Sequence, residues 1–366
     1  KEPEETIKQI TIPESLTIRE LADKMKMPAA ALVKKLFLQG QVVSLNQDIT
    51  FEEAEEIALE FDIIAEKEGA KRAKTRLLLN AHMDEVGLLI TGICKDGLLR
   101  FTTIGGIDRR ILPGKSVLVA GKIPGVIGAK PIHLLEGEEK EKAPSLDSLT
   151  IDIGAVSQEE VEKVVSPGDS VTFVSLFDTS YGKIRSRAID DRAGCAILID
   201  LMKKDLPYDC TFVFAVQEEV GLRGSKTAAF VAEPEAAIVV ESTTAADIPG
   251  VDEEKQVCRV GKGPVISFMD RATIYDRGYF ALAKKLAKEN DIPFQVKEAV
   301  AGGNDAGAIH VSRGGVRTAA VSLACRYLHS PVGMIAEDDF HHAEALIEKL
   351  AMAIAAKIDN DCMDVL

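Results

Sequence analysis

The stretch "CTFVFAVQEEVGLRG", residues 210–224, constrains this chain more than any other. Apolar and β-branched residues from Phe212 to Val216 read as a strand buried on both faces, and the run passes into two adjacent carboxylates, Glu218 and Glu219. Were the strand to continue, these neighbours would point to opposite faces and one acid would sink into the core unpaired. The pair therefore marks a strand end.

Three further runs, "TRLLLNAH", "EAAIVV" and "RTAAVSLAC", are equally short and bounded by polar or glycine-containing turns. Helical patterns lie between them: "DDRAGCAILIDLMKK", "DRGYFALAKKLAKEN" and "FHHAEALIEKLAMAIAAKI". Alternation of this kind predicts an α/β domain with a mainly parallel sheet, over residues 69–91 and 183–366. Residues 92–182 interrupt it with "LLRFTTIGGI", "GKSVLVAGKIPGVIG", "LTIDIGA" and "GDSVTFVSLF", which read as an inserted β-rich domain.

Residues 1–68 form a unit of their own. "TIKQITI" suits a short strand, and Thr17 with Glu20 fits a capping box that opens "IRELADKMKM". Pro28 and Gly40 suit the two ends of a second helix, and Thr50 with Glu53 caps a third. A compact module of three helices and little else is expected.

The carboxyl ends of parallel strands face one side of an open sheet, where ligands gather. His82 and Asp84 follow the first run, Glu218 and Glu219 the second, Glu241 the third and His329 the fourth, while Asp190-Asp191 stand where a strand hands over to a helix. Such a concentration of acid repels itself unless cations fill it. Imidazoles with carboxylates suit Zn, Co or Mn, whereas Mg favours fewer protein ligands and no imidazole. Two ions about 3.5–4 Å apart would fit a bridging carboxylate. Asp84 is placed to fix the His82 tautomer through the nitrogen not bound to metal. Glu219 would then ligate while Glu218 stays free as a general base.

The strings "AHMDEVGLL", "TTIGGID", "GKIPGVIGAKPIHLL", "AIDDRAGCAIL", "VFAVQEEVGLRGS", "TTAADIPG", "GGNDAGAIH" and "RYLHSP" occur in an order that resembles the M42 family of metallo-aminopeptidases, over about residues 69 to 356. The resemblance implies a dinuclear metal centre on an α/β catalytic domain, a PDZ-like inserted domain, and dimers that assemble into dodecamers. It implies His82, Asp190, Glu219, Glu241 and His329 as ligands, with Asp190 rather than Asp191 as the bridge and Glu218 as the base. Two departures stand out: Glu241 replaces the Asp of many members, and the segment before "AHMDE" differs from the family's. That segment, "ITIPESLTIRELADKMKMPAAALVKKLFLQGQVVSLNQDITFEEAEEIALEFDI", resembles the N-terminal module of bacterial translation initiation factor 2. With it in place of the usual front end, part of the sheet is expected to be left uncovered.

In "GGNDAGAIH", Asp305 has two readings, as a wall of the substrate pocket or as the cap of a glycine turn. His133, His310, His341 and His342 are expected to be packing or surface residues. The formal net charge of -14 argues against nucleic acid or an anionic membrane as partner. Six cysteines without C-x-x-C spacing, no apolar stretch near 18 residues and a charged amino end lead to the expectation of reduced thiols in a cytoplasmic, untethered protein. The leading expectation is a homo-oligomeric aminopeptidase acting on peptides. The rivals are a glycoside hydrolase, disfavoured by adjacent rather than opposed acids and by the absence of Trp, and a non-catalytic protein that binds a partner through residues 1–68.

Overall fold

A computed structural model describes residues 9–38, 41–59, 61, 64–67 and 75–359. Its largest sheet has six strands in the order Thr211–Ala215, Leu77–His82, Ala236–Thr244, Arg317–Cys325, Val265–Ile266 and Gln295–Val296. The first four are mutually parallel, and Val265–Ile266 runs antiparallel to Arg317–Cys325 but parallel to Gln295–Val296. Strand Leu77–His82 is buried throughout, with a parallel neighbour on each side. That explains its unbroken apolar run, because both of its faces are covered by helices.

Helices Ile189–Met202, Arg277–Glu289 and Glu337–Asp359 cover one face through Leu198, Tyr279, Leu346 and Leu350. Arg223–Ala232 and Ala306–Ile309 cover the other, packing Ala229, Ala306 and Ile309 against Leu78 and Val239. Strand Lys183–Ser186 forms a separate antiparallel pair with Gly333–Ala336.

Two strand readings need correction. Thr211–Ala215 is half-buried over most of its length, because it forms the sheet's edge and no described strand pairs with its outer side. The strand containing Glu241 continues to Thr244, so that acid lies within the strand, opposite Ser322 of its neighbour.

The insert is a closed barrel of six strands, in the order Thr150–Asp152, Leu99–Ile104, Gly87–Ile93, Ser170–Phe173, Ser116–Val119 and Ile123–Gly128. Leu88, Ile90, Leu99, Phe101, Val117 and Val171 fill its interior. Strand Gly87–Ile93 runs through the boundary expected at residue 92, so the barrel starts five residues earlier, directly after the His82–Glu85 segment. The alternation of buried Leu99 and Phe101 with exposed Arg100 and Thr102 shows the two-residue period of a barrel strand.

In the N-terminal unit, helices Ile18–Lys24, Ala29–Leu38 and Phe51–Leu59 enclose Leu21, Leu32, Leu36 and Phe51. The first capping box is complete: Thr17 N donates to Glu20 Oε2 at 2.7 Å and Glu20 N to Thr17 Oγ1 at 3.2 Å. Thr50 and Glu53 exchange the same bonds at 2.8 and 3.3 Å. The unit holds more than helices: Gln9–Ile12 pairs in parallel with Ile64–Lys67, and Ser15–Thr17 pairs antiparallel with Asp48–Thr50. Both pairings join segments far apart in sequence, which no local pattern signals. Gly40, Cys362 and most of the join with the rest of the chain lie outside the described residues; the other five cysteines are free thiols. No helix among the described residues is long and apolar enough to cross a membrane.

Candidate metal centre and active site

His82 ends the central strand and is 1% exposed. Its Nδ1 lies 3.1 Å from the carbonyl oxygen of Asp84 and 3.5 Å from Asp84 Oδ1. Its Nε2 faces three other acids, at 3.2 Å from Asp190 Oδ1, 3.5 Å from Glu241 Oε1 and 3.9 Å from Glu218 Oε2. His329, four residues past the last strand residue Cys325, presents Nε2 at 3.4 Å from Asp190 Oδ2 and 3.5 Å from Glu219 Oε2. Asp190 thus turns one carboxylate oxygen toward each imidazole.

Irregular backbone makes this convergence. Gln217, Ala188 and His329 adopt left-handed φ of 61°, 56° and 56°, and such turns outside glycine concentrate at functional sites. Asp84 secures the bend after Ala215 by accepting the backbone N–H groups of Glu218 at 3.1 Å and Glu219 at 3.2 Å. Asp191 is fully buried, and its Oδ2 accepts the His82 N–H at 3.3 Å. A Cβ on Gly194 would stand 2.5 Å from Asp191 Oδ1, so glycine there makes room for that carboxylate.

Two groups of candidate ligands result: His82, Asp191 and Glu241, all buried, and Asp190, Glu219 and His329. In each, the donor atoms lie within 4.8 Å of one another. All five expected ligands therefore meet, and Asp191 joins them. Asp191 Oδ1 and Glu219 Oε1 are buried without a hydrogen-bond partner, which suits a donor set built for cations. Burial pushes Glu218 up to about 8 and Glu219 to about 7, and raises Glu241 and Asp191 well above the carboxylate range. The hydrogen bond with Asp190 lifts His329 to about 9. Burial opposes charge on both His82 and Asp190, but Glu241, Asp190 and Asp84 raise the imidazole, and the bonds with His329 and His82 hold Asp190 low.

A cavity of about 230 Å³ opens beside the cluster, bounded by Glu218, Glu241, Thr243, Lys297, Gly303 and Asn304 among others. Asp305 does not line it. Its carboxylate is fully buried and accepts from Asn80 Nδ2 at 2.7 Å, and it makes no side-chain cap on the helix that follows. At this turn the cavity is walled by its neighbours Gly302, Gly303 and Asn304, with Asp305 held behind them by Asn80.

Sequence reasoning passed over the Gly106 carbonyl, 3.0 Å from His329 Nδ1, because a main-chain oxygen has no residue signature. It passed over Lys297, since "PFQVKEAV" marks no site. His133, His310, His341 and His342 belong to neither ligand group; His310 Nδ1 lies 2.8 Å from the Ala306 carbonyl.

Residues 62–346 match the family described as M42 glutamyl aminopeptidase. This chain belongs to that family. A lysyl aminopeptidase of Pyrococcus furiosus is 31% identical over 351 residues, covering 90% of this chain and 97% of its own. Among solved structures, a TET aminopeptidase from a marine-sediment Thaumarchaeota archaeon matches with a TM-score of 0.76 and 33% identity, over 81% of this chain and 85% of that one. The TET1 peptidase of Pyrococcus horikoshii, which can assemble into a tetrahedron or a large octahedral shell, matches at 0.67 and 39%, over 78% and 84%. A Thermotoga maritima structure described as an endoglucanase matches at 0.66 and 33%, over 94% and 99%. The M42 chain is a peptide hydrolase by this family membership.

Its front end has another kinship. Residues 13–63 match the N-terminal region of translation initiation factor IF-2, and 65 residues are 66% identical to that factor from Lachnospira eligens. They span only 7% of the factor's length.

Proposed function

We propose that this M42 chain is a two-metal aminopeptidase that removes residues from the free N-terminus of peptides. The observation that carries the reading is Asp190, with Oδ1 at 3.2 Å from His82 Nε2 and Oδ2 at 3.4 Å from His329 Nε2. One carboxylate facing two imidazoles is the arrangement a bridging ligand needs. His82 and Glu241 would hold one ion and Glu219 and His329 the other, with Asp190 shared. Bound Zn or Co, with Mn as third choice, would supply Lewis-acid activation of water and of the scissile carbonyl.

The chain's own groups do the rest. Glu218, poised near neutrality by burial, takes a proton from the attacking water and returns it to the departing amine. Asp84 holds the turn that aims it. With Nδ1 facing Asp84, His82 keeps Nε2 for the cation. We read the inserted barrel as the PDZ-like domain through which copies pair, and the protein as a cytoplasmic homo-oligomer, in line with the assemblies of the P. horikoshii relative.

Exhaustive chelation should abolish cleavage of aminoacyl p-nitroanilides, and add-back of Zn, Co or Mn should restore it. Full turnover by metal-free protein contradicts the proposal. The endoglucanase relative keeps glycoside hydrolysis as the second reading; release of reducing sugar from a cellulose oligomer, insensitive to chelator, would favour it.

A further inference from the structure

Asp247, in the string "TTAADIPG", lies just beyond the strand that bears Glu241, and Arg326 lies just beyond the adjacent strand that leads to His329. Those strands pair in parallel as far as Thr244 and Cys325, and the Ala245 N–H adds a last main-chain bond to the Cys325 carbonyl at 2.8 Å. Past that point side chains take over. Arg326 Nε donates to Asp247 Oδ1 at 2.8 Å and Nη2 donates to Oδ2 at 2.6 Å. Two parallel charge-assisted bonds fix orientation as well as distance. Asp247 is itself held, since Oδ2 also accepts the Val260 N–H at 3.1 Å and its side chain is only 11% exposed.

The fork grips the base of the loop that delivers His329. Arg326 and Met334 exchange both backbone hydrogen bonds, at 2.9 and 3.1 Å, and so close residues 327–333 into a hairpin. Within it Tyr327 and His329 have left-handed φ of 61° and 56°, conformations that are costly outside glycine and persist only where the surroundings impose them. The Gly106 carbonyl, 3.0 Å from His329 Nδ1, restrains the imidazole; the Asp247 fork restrains the backbone that carries it. Neither Asp247 nor Arg326 belongs to a ligand group, yet their bond ties the strand of Glu241, in one group, to the loop of His329, in the other. Resting on the two-metal reading, we infer that Asp247 and Arg326 are positioning residues that hold His329 in register with the rest of the centre. They act on the ion at the His329 half, through the loop and without touching it.

The test titrates the metal-free full chain with Co, read by equilibrium dialysis and by visible absorption. Wild type should take up two ions, and His329→Ala identifies which of them belongs to its half. Asp247→Asn and Arg326→Gln should hold the other ion with wild-type affinity and bind this one about 10- to 100-fold more weakly, the usual effect of losing a group that orients a ligand; its absorption band should change with it. Arg326→Lys keeps the charge and loses the fork, so the same one-sided deficit is expected there even if a harsher variant fails to fold. In a His329→Ala background, Asp247→Asn should weaken that ion by no more than about twofold further, because the two substitutions act through one side chain. Unchanged affinity, equal losses at both ions, or full additivity with His329→Ala overturns the inference and leaves the pair as a brace of the fold. Wild type that binds one ion or none refutes the two-metal reading itself, an outcome distinct from two ions held alike by wild type and variants.

Discussion

Asp84 stands 3.5 Å from His82 Nδ1 while its two carboxylate oxygens accept the backbone N–H groups of Glu218 and Glu219. One side chain thus connects the ends of two adjacent strands. Asp84→Asn replaces one acceptor oxygen with a donor that would confront an N–H. We expect a loss of roughly 10- to 100-fold in metal affinity or turnover, as for other groups that orient a ligand. Isothermal titration with Zn and initial rates test this, and wild-type values for both would remove Asp84 from the machinery.

Glu218→Gln keeps the shape of the side chain and removes its basicity. Metal content should remain, while kcat falls roughly 10²- to 10⁴-fold, the usual contribution of a general base. Elemental analysis together with steady-state rates separates this from a binding defect. Comparable turnover in the variant assigns the proton to another group.

Asp190→Asn should disturb both halves of the centre, because its two oxygens face different histidines. His329→Ala removes a donor from one half only. Equilibrium dialysis followed by metal analysis should show the first variant depleted of both ions and the second chiefly of one. Full loading of Asp190→Asn would deny that carboxylate its shared position.

Protonation of the metal-free cluster sets a pH dependence. His329 is raised from 6.5 to about 9 by its bond with Asp190, and Glu219 from 4.5 to about 7 by burial. Both shifts mean that the folded metal-free protein binds more protons than the unfolded chain, so these groups make its stability fall as pH rises. The His329 contribution is present below 6.5 and gone above about 9; that of Glu219 changes between 4.5 and about 7. Cations must displace the same protons, so apparent metal affinity should rise over that range. Thermal melts of metal-free protein at pH 6.5 and 9, and calorimetry in buffers of different ionisation enthalpy, test both signs. A melting temperature that climbs with pH contradicts this account.

Asp276 tests the scaffold away from the centre. It accepts the Tyr279 N–H at 2.9 Å, capping helix Arg277–Glu289, and pairs with Arg317 Nε at 2.8 Å. Burial opposes its ionisation, but these bonds outweigh that and hold it below 3.8. Its stabilisation is therefore present above pH 3.8 and is lost as pH falls through the depressed value. Asp276→Ala should cost about 2 kcal/mol, combining a helix cap with a charged hydrogen bond, as read by urea denaturation at pH 7. An unchanged midpoint would show the pair to be ornamental.

Caps and strand exits were legible because their signals are local. Thr17 with Glu20 and Thr50 with Glu53 announce helices within four residues, and the acids around His82 stand beside the apolar runs that deliver them. Pairing between distant segments is not written locally. The closure of the barrel, the partners of Gln9–Ile12 and the edge position of Thr211–Ala215 all depend on it. The surroundings of Asp305 depend on it too: "GGNDAG" fixes a turn, but which of its residues faces the cavity depends on Asn80 from another strand.

The Gly106 carbonyl gives the barrel a mechanical hand on the proposed centre. It reaches across from the insert to His329 Nδ1 at 3.0 Å, and Gly105 beside it leaves no room for a side chain against Glu219. Tilting the insert by even an ångström would loosen the acceptor that sets the His329 tautomer. Whatever seizes the barrel, another subunit included, thereby acquires leverage over a proposed ligand more than two hundred residues along the chain.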